Sequence, residues 1–522
     1  MQTLSLIVLT SIVLYVVRLY VEYRRNMKTI RNYPGYRTFL SSSSIFANLL
    51  PQIPGIATGR LNLWRSKHDD FEYFGSDIFS VVNMWPTSNL SFRVADPVAI
   101  KEITSTRALW PKPVERYQGL KLFGSNIVVT ENDEWKKHRR VANPAFSERN
   151  NRMVWEETVK IVNDMFDNDW RDRAEIEVDH CVNITLKLAL LVIGSAGFGR
   201  SISWDNDLQI PPGHQMSFKD ALHIVSVDII YKLAVPDWAM GLTKKLRTVK
   251  LAFDELRMYM QDMINERRDT EKRTERYDLF SSLLDASAED SDGMAKLSDS
   301  ELTGNIFIFL LAGHETSAHT LCFCFALLAL YQDEQETLLK HINTVLVDRR
   351  TPEYKDMPKL TYSMAVLYET LRLFPPVNGI PKKAAEDFSL STSMTSGEKR
   401  VIPVPRGSVI ILHVPGIHYN PKYWKDPHEF KPKRFLEDYN RDAFIPFSAG
   451  VRSCIGRRFS ETESIAILTT IVQKYKIEIK DEPQFANETF DERRERILRC
   501  KAGITLSPVR VPLVFKRRVE GP

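Results

Sequence analysis

The segment "NIFIFLLAGHETSAHTLCFCFALLAL", Asn305 to Leu330, constrains the fold more than any other part of the chain. It is apolar around its whole circumference, so it forms a helix that lies either in a bilayer or at the centre of a large core. Hydropathy alone leaves both open. Each Leu, Ile or Phe gains roughly 0.3 to 0.6 kcal/mol in a membrane, and together they outweigh one central acid costing about 2.5 to 3.5. His314, Glu315 and Thr316 cluster at the midpoint, where ionisable residues are rare and usually functional. Gly313 removes a side chain, so a flat, bulky group can approach the backbone there. Thr316 can bond back to a carbonyl one turn earlier and loosen the helix, and Glu315 beside it offers a proton route. From this segment alone, a helix–helix contact at Gly313 with a paired acid is an equally good reading.

A chain of 522 residues, 43% hydrophobic and 26% charged, has ample material for such a core. Its net charge of +5 is too small to argue for a nucleic-acid partner. Cys181, Cys322, Cys324, Cys454 and Cys500 are odd in number and irregular in spacing, a poor disulfide framework that fits a reducing compartment. Cys322 and Cys324, two apart on a helix, face nearly opposite ways and cannot share a zinc ion.

A second apolar run, Leu4 to Val21, is long enough to span a bilayer if Arg18 snorkels to one interface. Arg24, Arg25, Lys28 and Arg31 follow it, which keeps that flank and the rest of the chain cytosolic. A cleaved signal peptide is disfavoured, because the run lacks a basic leading segment and a small-residue cleavage site. Residues 1–23 are therefore expected to be a transmembrane anchor. Residues 24–59, basic and broken by Pro34-Gly35, four serines, Pro51 and Pro54-Gly55, are expected to be a hinge. Solvated loops are expected near 270–278 and 285–293, long helices through the middle, and strands after Ile380.

Three further motifs carry chemistry. In "YETLRLFPP", Glu369 and Arg372 share one helical face. A surface ion pair is the usual reading of such spacing, but the apolar neighbours suggest a buried helix, and a buried pair needs a third polar partner, for which Arg434 in "FKPKRF" is the candidate. In "EWKKHRR", Trp135 and Arg139 lie four apart on one face. A solvated basic face is the ordinary reading of such a charge run, and an indole NH beside a guanidinium also makes a clamp for a carboxylate. In "FSAGVRSCIG", Cys454 sits in a glycine-punctuated loop two residues from Arg452, an odd position for a small core hydrophobe.

Taken together, and in their order along the chain, the motifs resemble the cytochrome P450 family of haem-thiolate monooxygenases. The resemblance rests on Ala312 to Thr316, Glu369 and Arg372, Pro432 to Phe435, and the loop Phe447, Gly450, Arg452, Cys454, Gly456. It implies a mainly α fold with a smaller β portion over residues 60–522, preceded by one transmembrane helix. A second membrane span at 305–330 is then rejected, because it would separate Trp135 from Cys454. The resemblance implies haem b, with Cys454 as axial thiolate to the iron, Phe447 shielding the sulfur, and Gly450 and Gly456 shaping the loop and the helix after it. Arg452, Trp135 and Arg139 would hold the propionates. Ala312 and Gly313 would face the ring, Thr316 and Glu315 would deliver protons during dioxygen activation, and Glu369, Arg372 and Arg434 would form a structural triad. Ser460 and Lys382 depart from the usual alanine and arginine.

The partners implied are an NADPH-dependent flavoprotein reductase, a lipophilic small molecule, and the endoplasmic reticulum membrane. Lys136, Lys137, Arg140, Arg457 and Arg458 would form the basic surface that steers the reductase, with an ordinary solvated patch as the alternative reading of those residues. Pocket-lining segments would fall at Tyr117 to Phe123, around 205–240, before Ala312, at Val377 to Ile380 and near Gly503-Ile504. The style of the chain resembles fungal members of secondary metabolism or detoxification, with terpenoid oxidation favoured. The alternatives are reductase-independent isomerisation, dehydration or peroxygenation on the same fold, and a non-enzymatic haem sensor.

Overall fold

The computed structural model describes residues 2–41, 44, 47, 50–59, 62–171, 173–199, 210–269, 278–288, 296–394 and 397–518. The chain forms two compact units. The first comprises Met1–Pro113, Val377–Glu429 and Tyr439–Cys454, and the second Val114–Pro376, Phe430–Asp438 and Ile455–Pro522.

The first unit is built on a five-stranded sheet. Helix α1 (Gln2–Thr29) leads into β1 (Gly35–Leu40), which pairs in parallel with β2 (Ile78–Trp85). Strand β2 returns antiparallel as β3 (Asn89–Val94), and the sheet ends with β8 (Val409–His413) and β5 (Gly379–Lys383), in the order β1-β2-β3-β8-β5. A separate hairpin joins β6 (Phe388–Ser393) to β7 (Lys399–Val404). The apolar part of α1 is exposed at Leu4, Leu9, Leu14 and Val21, whereas Leu19 and, just beyond it, Ile30 are buried. The helix is long and apolar enough to cross a membrane.

The stretch expected to be a hinge is partly ordered structure. Residues 24–29 continue α1, and Gly35–Leu40 contributes a strand to the sheet. The glycine read as a breaker makes the pairing possible. A Cβ on Gly35 would stand 1.8 Å from the Ser80 carbonyl oxygen, so only glycine lets β1 run this close to β2. The expected loops at 270–278 and 285–293 lie largely outside the described residues, and so do Ser42 and Ser43.

The second unit is helical around α7 (Asp299–Leu330), which contains the apolar segment Asn305 to Leu330. Of the window with membrane-like hydropathy, 83% is buried in protein, so this helix is a core element and not a span. It starts with a capping box, in which the Ser298 hydroxyl accepts from the Glu301 amide and the Glu301 carboxylate accepts from the Ser298 amide. Packed against it are α4 (Val182–Val192), α8 (Thr361–Leu373) and α9 (Arg457–Lys474). Further helices of this unit are α3 (Asn132–Ala142), α5 (Phe218–Ala234) and α6 (Lys244–Asp269). The strand portion is smaller: a sheet of order β4-β12-β9, from Glu175–Val178, Leu513–Arg517 and Tyr475–Ile479, and a hairpin of β10 (Cys500–Ala502) with β11 (Leu506–Pro508).

Candidate active site

In the first unit, the cysteine loop is closed by its own backbone. The Cys454 amide donates to the Phe447 carbonyl at 2.9 Å, and the Ser453 amide donates to that of Gly450 at 3.0 Å. This leaves the thiol exposed at the end of a tightly turned segment. Gly450 has φ +68°, and a Cβ there would come 2.2 Å from the Thr104 carbonyl oxygen at the end of α2 (Pro97–Ser105). Both conformation and space therefore demand glycine. Helix α2 is itself held by Asp96, whose carboxylate accepts from the Val98 and Ala99 amides at 2.9 Å. Phe447 and Arg452 are half-buried. Lys382, set aside in the sequence because an arginine is usual there, is only 4% exposed on β5. A lysine is seldom buried to that extent without a task for its charge.

In the second unit, α7 is buried on all sides from Gly304 to Leu330 except at Ala312, Gly313 and Thr316. These three form one stripe, as residues i, i+1 and i+4 must. The Thr316 hydroxyl donates to the Ala312 carbonyl at 2.7 Å, the back-bond expected from the sequence. A Cβ at Gly313 would sit 3.2 Å from Ile193 Cδ1, so contact with the π-helical turn Ile193–Gly197 is one reason for this glycine. Glu315, one residue before Thr316, is buried, and burial pushes its carboxyl up to about 7. The Thr505 hydroxyl is the polar group that opposes this rise. His314 lies on the covered side, with Nδ1 2.7 Å from the Leu310 carbonyl, and burial lowers it to about 4.

Helix α3 presents Trp135, buried, and Arg139, half-buried, on one face. A pair the sequence did not reveal fixes α3 on α7. The Asn305 amide nitrogen donates to His138 Nδ1 at 2.7 Å, while its oxygen accepts from the Ile127 amide at 3.1 Å. Lys137 adds an ion pair to Glu301 at 2.5 Å.

The triad is complete. Glu369 receives Arg372 through two hydrogen bonds, Nε at 2.8 Å and Nη2 at 2.9 Å, and receives Arg434 Nε at 3.0 Å. The Lys431 backbone amide donates to the same carboxylate at 2.9 Å, a third partner that the sequence does not mark. Glu369 and Arg372 are both fully buried. Gly456 precedes α9 with φ −85°, an angle any residue adopts. Ser460, a departure from the usual alanine, places its hydroxyl 3.3 Å from that of Ser317.

The basic surface is weaker than the sequence implied. Lys136 pairs with Asp133 at 2.6 Å, Lys137 with Glu301, and Arg457 and Arg458 with Glu461 at 2.8 and 3.8 Å. Within each unit, the groups have chemistry that suits a haem. An exposed thiol on a rigid loop is a soft ligand for a metal. Guanidinium and indole NH groups match carboxylates, and the Ala312–Gly313 stripe can lie against an apolar ring.

The family model described as "Cytochrome P450" matches residues 54–500. The chain is 53% identical over 521 residues to "Cytochrome P450 monooxygenase 124" of Postia placenta, covering 99% of this chain and 100% of that protein. It is 28% identical to "Cytochrome P450 monooxygenase ORF6" of Penicillium roqueforti, over 88% of this chain and 84% of that one. Among solved structures, a "cytochrome P450DA heme domain" superposes with a TM-score of 0.72 at 21% identity, covering 88% of this chain and 94% of that one.

Proposed function

The chain belongs to the cytochrome P450 family, and from that premise we propose that it is a membrane-anchored monooxygenase that takes electrons from an NADPH-dependent flavoprotein reductase and oxidises a lipophilic small molecule. The observation that carries this reading is the Cys454 loop, where amide closure and the pinned Gly450 hold an exposed thiol in place. A haem bound there through a thiolate supplies dioxygen activation and the transfer of one oxygen atom to substrate.

The protein's own residues have separable tasks. Cys454 would bind the iron, and Phe447 would keep water from the sulfur. Arg452, Trp135 and Arg139 would hold the propionates, with Lys382 a further cation for them. Thr316 offers a hydroxyl that can leave its back-bond to Ala312 and donate into the pocket. Glu315 holds a proton near neutrality because burial disfavours its carboxylate. A donor matched to the working pH is the one best suited to general acid catalysis.

The substrate class we favour is terpenoid-like, in secondary metabolism or detoxification, reached from the endoplasmic reticulum membrane. The support is the apolar α1, the family resemblance, and pocket segments such as Tyr117 to Phe123 that are rich in apolar residues. The test is reconstitution with the reductase under isotopically labelled dioxygen against a terpenoid panel. A product carrying one labelled oxygen, formed only with NADPH, is expected. Unlabelled product, or turnover indifferent to the reductase, would favour the isomerase or dehydratase alternative. The Cys454→Ser chain should fold yet lack the thiolate-type spectrum of the ferrous carbonyl form.

A further inference from the structure

The hairpin of β10 and β11 carries a polar chain that ends on Glu315. Thr505, in the turn between the two strands, is 5% exposed, and its hydroxyl faces the Glu315 carboxyl. The same Oγ1 lies 2.9 Å from Nδ1 of His319, one turn further along α7. Ser507 Oγ stands 3.4 Å from that ring nitrogen and donates to the Thr505 carbonyl at 3.2 Å. His319 and Ser507 are 6% and 7% exposed. A hydroxyl held between a carboxyl and an imidazole can donate to only one of them at a time, so the three groups share one hydrogen-bond direction.

We propose that Thr505 and His319 form a relay that reloads Glu315 with a proton after Glu315 has given one up. With Glu315 protonated, its hydroxyl donates to Thr505 Oγ1, and Thr505 donates to unprotonated Nδ1 of His319, which carries its hydrogen on Nε2. Once Glu315 is a carboxylate, the Thr505 hydroxyl turns to donate to it. The ring then exchanges its Nε2 hydrogen for one on Nδ1, which donates to Thr505 Oγ1, and a proton arriving from water at the vacated Nε2 makes the imidazolium. Its Nδ1 hydrogen passes to Thr505 Oγ1 while the original Thr505 hydrogen passes to the carboxylate. The chain is then back in its first arrangement, with one proton moved and nothing else changed.

The surroundings fit a ring that carries a second proton only in passing. The groups facing His319 are His314 on α7, Lys501 on β10 and His180 ahead of α4, and all disfavour added positive charge. With burial, they lower His319 to about 4. Among the described residues, burial raises Glu315 and the Thr505 hydroxyl opposes that rise. In this arrangement Glu315 is the proton donor, and Thr505 and His319 are positioning residues that act through it.

This inference rests on the proton-donor role of Glu315, and the test separates the two. The full-length holoenzyme, as its diamagnetic ferrous carbonyl form, is titrated from pH 5 to about 9. The Glu315 carboxyl stretch is followed by infrared difference against Glu315→Gln, and the His319 nitrogens by imidazole nitrogen NMR against His319→Asn. The expected result is a Nδ1 protonation that changes with the same midpoint as Glu315. In Thr505→Val that midpoint should rise and the His319 change should vanish, whereas Thr505→Ser should restore both. Hydrogen peroxide released per NADPH, with the reductase present, should rise several-fold in Glu315→Gln, Thr505→Val and His319→Asn, and stay at the parent level in Thr505→Ser. Peroxide at the parent level in Glu315→Gln would remove the donor role itself. A rise in Glu315→Gln alone, with unlinked titrations, would overturn the relay and leave that role standing.

Discussion

Glu463 on α9 shows what this core asks of a single residue. It is 1% exposed, and among the described residues neither carboxyl oxygen is within hydrogen-bonding geometry of a partner. The polar side chain that faces it is Ser317, whose hydroxyl also neighbours Ser460. Burial therefore pushes the carboxyl up to about 8, from 4.5 for an unperturbed glutamate. A group that binds its proton more tightly when folded stabilises fully below its unfolded pKa, and that contribution is lost as pH rises through the folded one. The Glu463→Gln chain should match the parent near pH 5 and exceed it near pH 8.5, by an amount on the order of a few kcal/mol. Calorimetry at the two pH values reads this directly, and parallel pH profiles for the two chains would refute it. Thr316 poses a different question, because its hydroxyl is already satisfied by Ala312. Thr316→Ala should fold normally and consume NADPH while product formation falls by roughly 100-fold or more, the range in which general acid catalysis operates. Product and NADPH falling in step would show that the hydroxyl does not take part in proton delivery.

Among the elements, the joint between α8 and the segment at 430–435 is the most exposed to damage. Glu369 accepts from Arg372, Arg434 and the Lys431 amide, so removing it takes a charged acceptor from one fully buried guanidinium and another largely so. Breaking a buried ion pair from one side costs about 3 to 5 kcal/mol. Glu369→Ala should accordingly lower the denaturant midpoint strongly and impair haem incorporation, both visible in one titration followed by fluorescence and Soret absorbance. Near-parent stability would place the pair's weight elsewhere. What was legible here follows the distance over which residues interact. Glu369 and Arg372, or Thr316 and Ala312, declare themselves through the helical repeat, because local spacing fixes their geometry. The Lys431 amide has no signature, since every residue but proline has one. His138 with Asn305, and His319 with Thr505, meet only after the chain has returned from far along its length, and nothing local marks either partner. The strand at Gly35–Leu40 was hidden for another reason: Pro34-Gly35 signals a break equally well in a linker and at the start of a strand. The basic residues of α3 and α9 were read as free charge, and only the fold shows that carboxylates on the same elements and on α7 pair with most of them.

For the whole molecule, the fate of α1 decides where the rest of the chain lies, because a cleaved signal and a retained anchor share its hydropathy. A cleaved signal would leave the mature chain starting in the sheet region. An anchor would keep α1 attached, with Arg24, Arg25, Lys28 and Arg31 on the cytosolic side. The packing favours retention. The helix runs on without a break to Thr29, its Asn26 amide donates to Ser88 Oγ at 3.0 Å, and Leu19 is buried to 4% exposure. Cleavage within the apolar run would cut a helix that the sheet holds at its far end. A run of this length, once in a bilayer, stays there through apolar burial and does not need a lipid-specific contact. The expected outcome on microsomes is a chain that resists carbonate extraction, with everything after about residue 24 open to added protease without detergent. A chain lacking residues 2–17 keeps Leu19, Asn26 and β1, so it should remain folded and bind haem while losing flotation with liposomes. Protection of the main body from protease, or a mature N-terminus beyond residue 21, would instead make α1 a targeting signal and place the catalytic unit in the lumen. There the reductase proposed above could not reach it.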